Sequence, residues 1–168
     1  MSFDKLSPKI QNLIKEKGFL EPTLAQKMSI EPILNKENVL LISATGMGKT
    51  EAVILPIMDM IKTNRHKPIS VLYISPLKSL NRDLLSRLFW WADKLDIEIA
   101  VRHGDTDQKE RTSQREAPSD IFIVTPETLQ AILTGKIFRE HLKNVKYVIV
   151  DEIHAHRKQA WCSVVPRP

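Results

Sequence analysis

The chain has 168 residues, enough for one compact domain or one domain with an appendage. Twenty-five Lys and Arg against 20 Asp and Glu give a net charge of +5, and residues 152–168 hold Arg157, Lys158 and Arg167 against Glu152, so the excess is uneven and does not by itself establish a nucleic-acid partner. Apolar residues at 42% exclude a disordered chain, and a single cysteine, Cys162, excludes a disulfide framework or a multi-cysteine metal site and suits a reducing cytoplasm.

Five short apolar runs recur along the chain, at residues 39–43 (VLLIS), 71–75 (VLYIS), 97–101 (IEIAV), 121–125 (IFIVT) and 147–151 (YVIVD). Four are almost continuously apolar and rich in β-branched residues, as strands buried on both faces of a parallel sheet are. The third alternates and is expected nearer an edge. Between them lie helical segments. Ser7-Pro8 opens one that places Ile10, Leu13 and Ile14 on one face and ends at Gly18. Thr23, with Gln26 three residues on, opens a second that Pro32 breaks or restarts. A third, from about 49 to 61, is apolar nearly all round and reads as the central buried helix, bent at Pro56. A fourth is expected from Ser75-Pro76, with Leu77, Leu80, Leu84, Leu88 and Trp91 at helical spacing, and a fifth from Thr125-Pro126 to about Gly135. The run from Lys109 to Glu116 reads as a solvated helix. The longest apolar run, residues 52–58, is far short of the ~20 residues of a membrane span, and residues 1–4 show no secretory signal, so no membrane partner is expected. The alternation defines a doubly wound α/β fold, whose ligands gather at the carboxyl ends of the strands.

The chemistry sits at those ends. Ser43-Ala44-Thr45-Gly46-Met47-Gly48-Lys49-Thr50 follows an expected strand and opens an expected helix, the context a phosphate loop requires. Glycines let successive N–H groups turn toward phosphate oxygens, and the helix N-terminus adds positive potential. Thr45, Gly46, Met47 and Gly48 would cradle the phosphates, Lys49 would reach the β- and γ-phosphates, and the Thr50 hydroxyl would hold Mg²⁺. Ser43 stands where the general pattern has its first glycine. Asp151-Glu152 closes the last apolar run: Asp151 would hold a Mg²⁺ water, and Glu152 would polarise the attacking water. The reading requires the amides of residues 46–49 and the carboxylates at 151 and 152 to converge on one magnesium-bound triphosphate.

Asp151-Glu152-Ile153-His154 is a DExH box, and with SATGMGKT it resembles the first motor domain of superfamily 2 helicases. GKTEA (48–52), SPLKSLNRDL (75–84), VRHGDT (101–106), TPETLQAIL (125–133) and VIVDEIHA (148–155) together are similar to the large helicase-related (Lhr) family within the Ski2-like group, over residues 3–155. The resemblance implies a RecA-like, mainly parallel sheet with helices on both faces, ATP and Mg²⁺ as cofactors, and single-stranded DNA or RNA as partner. Lys49, Asp151 and Glu152 take the catalytic roles. Gln26 resembles the adenine-reading glutamine, while its spacing from Thr23 equally suits a capping box; Phe19 or Phe3 is a candidate to pack on the base. Ser75, Pro76 and Lys78 match one strand-gripping motif, Thr125, Pro126 and Glu127 another, and Gly104 offers a close backbone contact; Ser75 and Thr125 equally suit helix caps. His154 takes the coupling position between the ATP and strand sites, and His156 no metal role. Trp90 and Trp91 are candidates for base stacking, with packing favoured for Trp91.

After Ala155 the resemblance stops, and residues 156–168 read as an atypical tail. The family continues with a further strand, normally placed between the phosphate-loop strand and the DExH strand, and with a second RecA-like motor domain that carries an arginine finger worth about 10³–10⁵ in rate. Without that strand, a gap in the sheet with unpaired backbone is expected. The chain alone is expected to bind ATP and a strand without unwinding; the alternatives are a truncated, non-catalytic nucleotide- or nucleic-acid-binding module and an unrelated phosphate-loop ATPase.

Overall fold

The computed structural model describes residues 2–44 and 46–153. The chain divides into two compact units after Arg65.

The first unit is helical. Its α1 (Pro8–Glu16) has Pro8 in its first turn and ends in a left-handed Gly18, whose conformation lets the Phe19 amide bond back to the Ile14 carbonyl at 3.0 Å. Helix α2 (Leu24–Leu34) begins on a full capping box: the Thr23 side chain accepts from the Gln26 amide, and the Gln26 side chain accepts from the Thr23 amide. Pro32 neither breaks nor restarts this helix, because it lies in the final turn and the missing N–H removes a single bond two residues before the end. Helix α3 (Lys49–Asn64) is buried from Ala52 to Ile61 except at half-buried Val53, as its all-round apolar character requires. It packs on α2, where the Ser29 hydroxyl donates to the Ala25 and Ala52 carbonyls, and the buried Asp59 carboxylate accepts from the Ser7 amide at 2.8 Å.

The second unit is a four-stranded parallel sheet of β1 (Val71–Ile74), β2 (Ile99–Arg102), β3 (Ile121–Val124) and β4 (Tyr147–Val150) in the order β2-β3-β1-β4. The two central strands are buried at every position, which is why their sequences are unbroken apolar runs. Among the described residues, strand β2 pairs with β3 alone and lies at an edge, as its alternation predicts. Leu72, Ile74, Phe122 and Val124 pack with Ile69, Leu129, Ile132 and Phe138, bringing in α6 (Pro126–Leu133) and α7 (Lys136–Leu142). Helix α7 has no counterpart in the sequence expectations; Phe138 anchors it against Phe122, ring centroids 4.9 Å apart. The mixed-charge run is α5 (Gln108–Glu116), capped by Asp107 and almost wholly solvated.

Four further expectations are corrected. Residues 39–43 form no strand, and Leu40 and Ile42 are exposed. An apolar run becomes a strand only when a neighbouring ladder takes its N–H and C=O groups. Among the described residues, β4 pairs with β1 alone, and Val148 and Val150 are partly exposed, so within these residues the DExH strand is an edge. The fourth helix does not begin at Ser75-Pro76. Those residues enter a turn in which the Ser79 amide bonds to the Pro76 carbonyl, and α4 (Arg82–Leu95) starts only where the Asn81 side chain caps the Leu84 amide at 2.8 Å. Leu77 is consequently exposed, while Leu84, Leu88, Trp91 and Leu95 form the buried stripe. Strand β2 starts at Ile99 rather than residue 97, because left-handed Asp96 turns the Ile97 amide back onto the Ala92 carbonyl and closes α4.

Candidate functional site

The phosphate-loop candidates lie in the first unit. Gly46 and Gly48 have φ of +81° and +69°, which only glycine adopts without strain, and Gly48 caps α3. Lys49 folds back over its own loop and donates to the Ser43 and Ala44 carbonyls at 2.8 and 3.2 Å. The ammonium is thus held over the loop by weak carbonyl partners that an anion can replace. Thr50 sits in the first turn of α3, and Met47 is exposed.

The Gln26 segment is tied to this loop, a connection that the spacing of the two motifs does not announce. The Thr23 hydroxyl donates to the Met47 carbonyl at 2.9 Å, and the Gln26 amide nitrogen donates to the Gly48 carbonyl at 3.4 Å. Gln26 is buried, and a Cβ on Gly48 would lie 2.7 Å from its amide nitrogen. Gly48→Ala therefore adds a clash with Gln26 to the left-handed backbone penalty, whereas Gly46→Ala meets no atom within 4 Å. The expected cost is about 1–2 kcal/mol for Gly46→Ala and about 1 kcal/mol more for Gly48→Ala, since moving Gln26 opens the α2 cap. Urea unfolding of both variants checks the difference; equal midpoints would show that Gln26 yields freely.

The acidic candidates lie in the second unit. The Asp151 amide continues the β1–β4 ladder to the Ile74 carbonyl at 2.9 Å. Its carboxylate is held at both oxygens: Oδ2 accepts from the Tyr73 hydroxyl at 3.0 Å, and Oδ1 from the Glu152 amide at 2.9 Å. Glu152 has a left-handed φ of +52°. Burial, followed by the Asp151 charge and the hydrogen bond to it, pushes the Tyr73 hydroxyl well above the usual phenol range, so it remains a donor. Nothing in the spacing of VLYIS and VIVD announces this contact, because it depends on the register that sets Tyr73 opposite Ile149.

The strand-gripping candidates surround the carboxyl ends of β1, β2 and β3. Ser75 and Thr125 are buried, Thr125 bonding to the Thr128 hydroxyl and opening α6, and Pro126 is buried at its first position. The exposed members are Lys78, Gly104 and Glu127, with Pro76 half-buried. Arg111 braces the Gly104 turn by donating to the Gly104 and Thr106 carbonyls at 2.7 and 2.8 Å. Trp91 is fully buried and Trp90 partly so. Thr45, His154 and the tail at 156–168, His156 included, lie outside the described residues. Among the described residues, no group of three or more His, Cys, Asp or Glu side chains could hold a metal, and no helix is long and apolar enough to cross a membrane.

A parallel α/β sheet with its acidic pair at the end of a strand, and a glycine turn opening a buried helix, define the RecA-like helicase-core class. A model of the DEAD/DEAH box helicase family matches residues 23–164, and the chain belongs to that family. It is 38% identical over 161 residues to the ATP-dependent helicase Lhr-Core of Sulfolobus acidocaldarius and 39% identical over 149 residues to that of Methanothermobacter thermautotrophicus, alignments covering 88% and 79% of this chain. These relatives are much longer, and the chain spans 18% and 17% of their lengths. Among solved structures, the Mycobacterium smegmatis helicase Lhr bound to single-stranded DNA and AMP-PNP superposes with a TM-score of 0.81 at 33% identity, covering 92% of this chain and 21% of that one.

Proposed function

We propose that residues 1–155 are the first RecA-like motor domain of an Lhr-type, ATP-dependent helicase in the cytoplasm, and that these residues bind ATP with Mg²⁺ and a single strand of DNA or RNA. The observation that carries this is the preorganised loop: two left-handed glycines at the start of a buried helix with a lysine folded over them. When bound, ATP supplies the phosphoanhydride whose cleavage drives the motor. Lys49 would exchange its two carbonyl partners for phosphate oxygens. Thr45 and the amides of Gly46, Met47 and Gly48 would hold the phosphates, and Thr50 and Asp151 the metal with its water. Glu152 would take the proton of the attacking water. The two motifs stand in separate compact units, and their service of one triphosphate is inferred from the motif pair and from family membership.

Gln26 supports both of its readings. An amide side chain has two hydrogens and two oxygen lone pairs. The capping box and the Gly48 carbonyl take one of each. The remaining pair matches the acceptor and donor of an adenine edge. His154 would couple the nucleotide and strand sites. For the strand, Lys78, Gly104, Glu127 and the backbone beside Ser75, Pro76, Thr125 and Pro126 would meet phosphates, the buried hydroxyls shaping the loops from within.

Unwinding requires two motor domains closing around ATP, so these 168 residues alone are proposed to bind without unwinding. Fluorescent ATP-analogue titration with Lys49→Ala as control tests the nucleotide site. Oligonucleotide anisotropy across a salt series tests the strand site, and Lys78→Ala is expected to reduce the slope of log affinity against log salt by about 0.7–1. Absence of strand binding at low salt would remove the strand site from this proposal and favour a truncated module that binds nucleotide alone.

A further inference from the structure

Strand β4 delivers Asp151 to the end of the sheet, but a carboxylate on a strand end has free rotation about two bonds. In this chain that freedom is removed from the neighbouring strand. Tyr73 lies opposite Ile149, and Asp151 is two residues further along β4 on the same face, the diagonal distance that a long aromatic side chain spans. Its hydroxyl reaches Oδ2 at 3.0 Å from a site only 4% exposed, while the Glu152 amide holds Oδ1.

We propose that Tyr73 is a positioning residue for the metal-holding carboxylate: its hydroxyl, with the Glu152 amide, fixes the Asp151 side chain in one orientation toward a magnesium-bound water. This rests on the nucleotide reading above. A ligand's hydrogen-bonded supporting group typically sets metal affinity by about 10–100-fold. The fixed orientation also removes the rotamer entropy that Asp151 would lose on meeting the cation. The central strand thereby serves the catalytic end of its neighbour, in addition to filling the core.

The experiment is equilibrium binding of a fluorescent ATP analogue to the full chain as Mg²⁺ is varied, for the wild type, Tyr73→Phe, Asp151→Asn, the double variant and Lys49→Ala, with thermal melts of each without nucleotide. Phenylalanine keeps the ring, so Tyr73→Phe is expected to melt close to wild type, yet to need roughly 10-fold more Mg²⁺ for half-maximal enhancement of binding. In the Asp151→Asn background the second substitution is expected to change nothing, because Tyr73 acts through that carboxylate. A wild-type Mg²⁺ midpoint in Tyr73→Phe, or an additive loss in the double variant, would overturn the positioning role while the nucleotide site stands. If Tyr73→Phe melts far below wild type, the double-variant comparison, made between chains melted alike, decides the matter by the same criterion. Lys49→Ala binding as tightly as wild type would instead remove the nucleotide reading and this inference with it.

Discussion

Replacing Lys49 with alanine is expected to weaken ATP-analogue binding by about 10–150-fold while barely changing stability. The two halves of that statement have different physical origins. In the unliganded chain, the ammonium donates to the Ser43 and Ala44 carbonyls, which lie on a partly exposed loop. Water replaces a donor lost there, so the folded state should change by no more than about 0.5 kcal/mol. Against a triphosphate, the same ammonium meets a full negative charge in the shelter of the loop, and charge-assisted bonds of this kind contribute about 1.5–3 kcal/mol. Titration of the analogue, paired with urea unfolding, separates the two. Unchanged affinity would remove the phosphate-loop reading; lost stability of comparable size would show that the lysine staples the loop.

Trp91→Ala is expected to cost about 3–5 kcal/mol, a larger loss of stability than Lys49→Ala or either glycine substitution should bring. Trp91 is fully buried among the stripe of α4, and its ring meets Trp90 edge-on at 4.8 Å. The cavity left by an indole cannot collapse when its walls are a helix and the residues it packs against. Since domains are stable by about 5–15 kcal/mol, the loss is a third or more of the total for a domain of middling stability. The neighbouring Trp90 gives the contrast: it is partly exposed and carries Lys94 5.8 Å from its ring centroid, so Trp90→Ala should cost about 1 kcal/mol. Urea unfolding followed by far-ultraviolet circular dichroism avoids the lost fluorophore, and the Trp91 variant should unfold about 1–3 M earlier. Equal midpoints for the two variants would contradict the burial difference.

Much of the candidate site can be read along the chain because its chemistry is local. A phosphate loop is eight consecutive residues, and the positive φ at Gly46 and Gly48 is a property of the residue type. The Thr23–Gln26 capping box and the α6 start at Thr125-Pro126 likewise depend on neighbours a few residues away. Where a competing local signal was stronger, the expectation failed. Asn81 caps a helix better than Ser75, whose peptide still belongs to the sheet through the Val124 carbonyl.

Periodicity and composition thus determined the α/β class and the buried strands β1 and β3, and the short motifs carried the resemblance to the helicase family and named the candidate residues, since each rests on backbone preference, apolar pattern or residue type within a few positions. Strand partnership and side-chain convergence waited for the folded chain. Residues 39–43 are as apolar as β1, yet form no strand, because a strand is defined by what pairs with it. Tyr73 reaches Asp151 across 78 positions of sequence, because register brings β1 and β4 side by side. Pairings of that separation depend on which segments meet, which no local preference encodes.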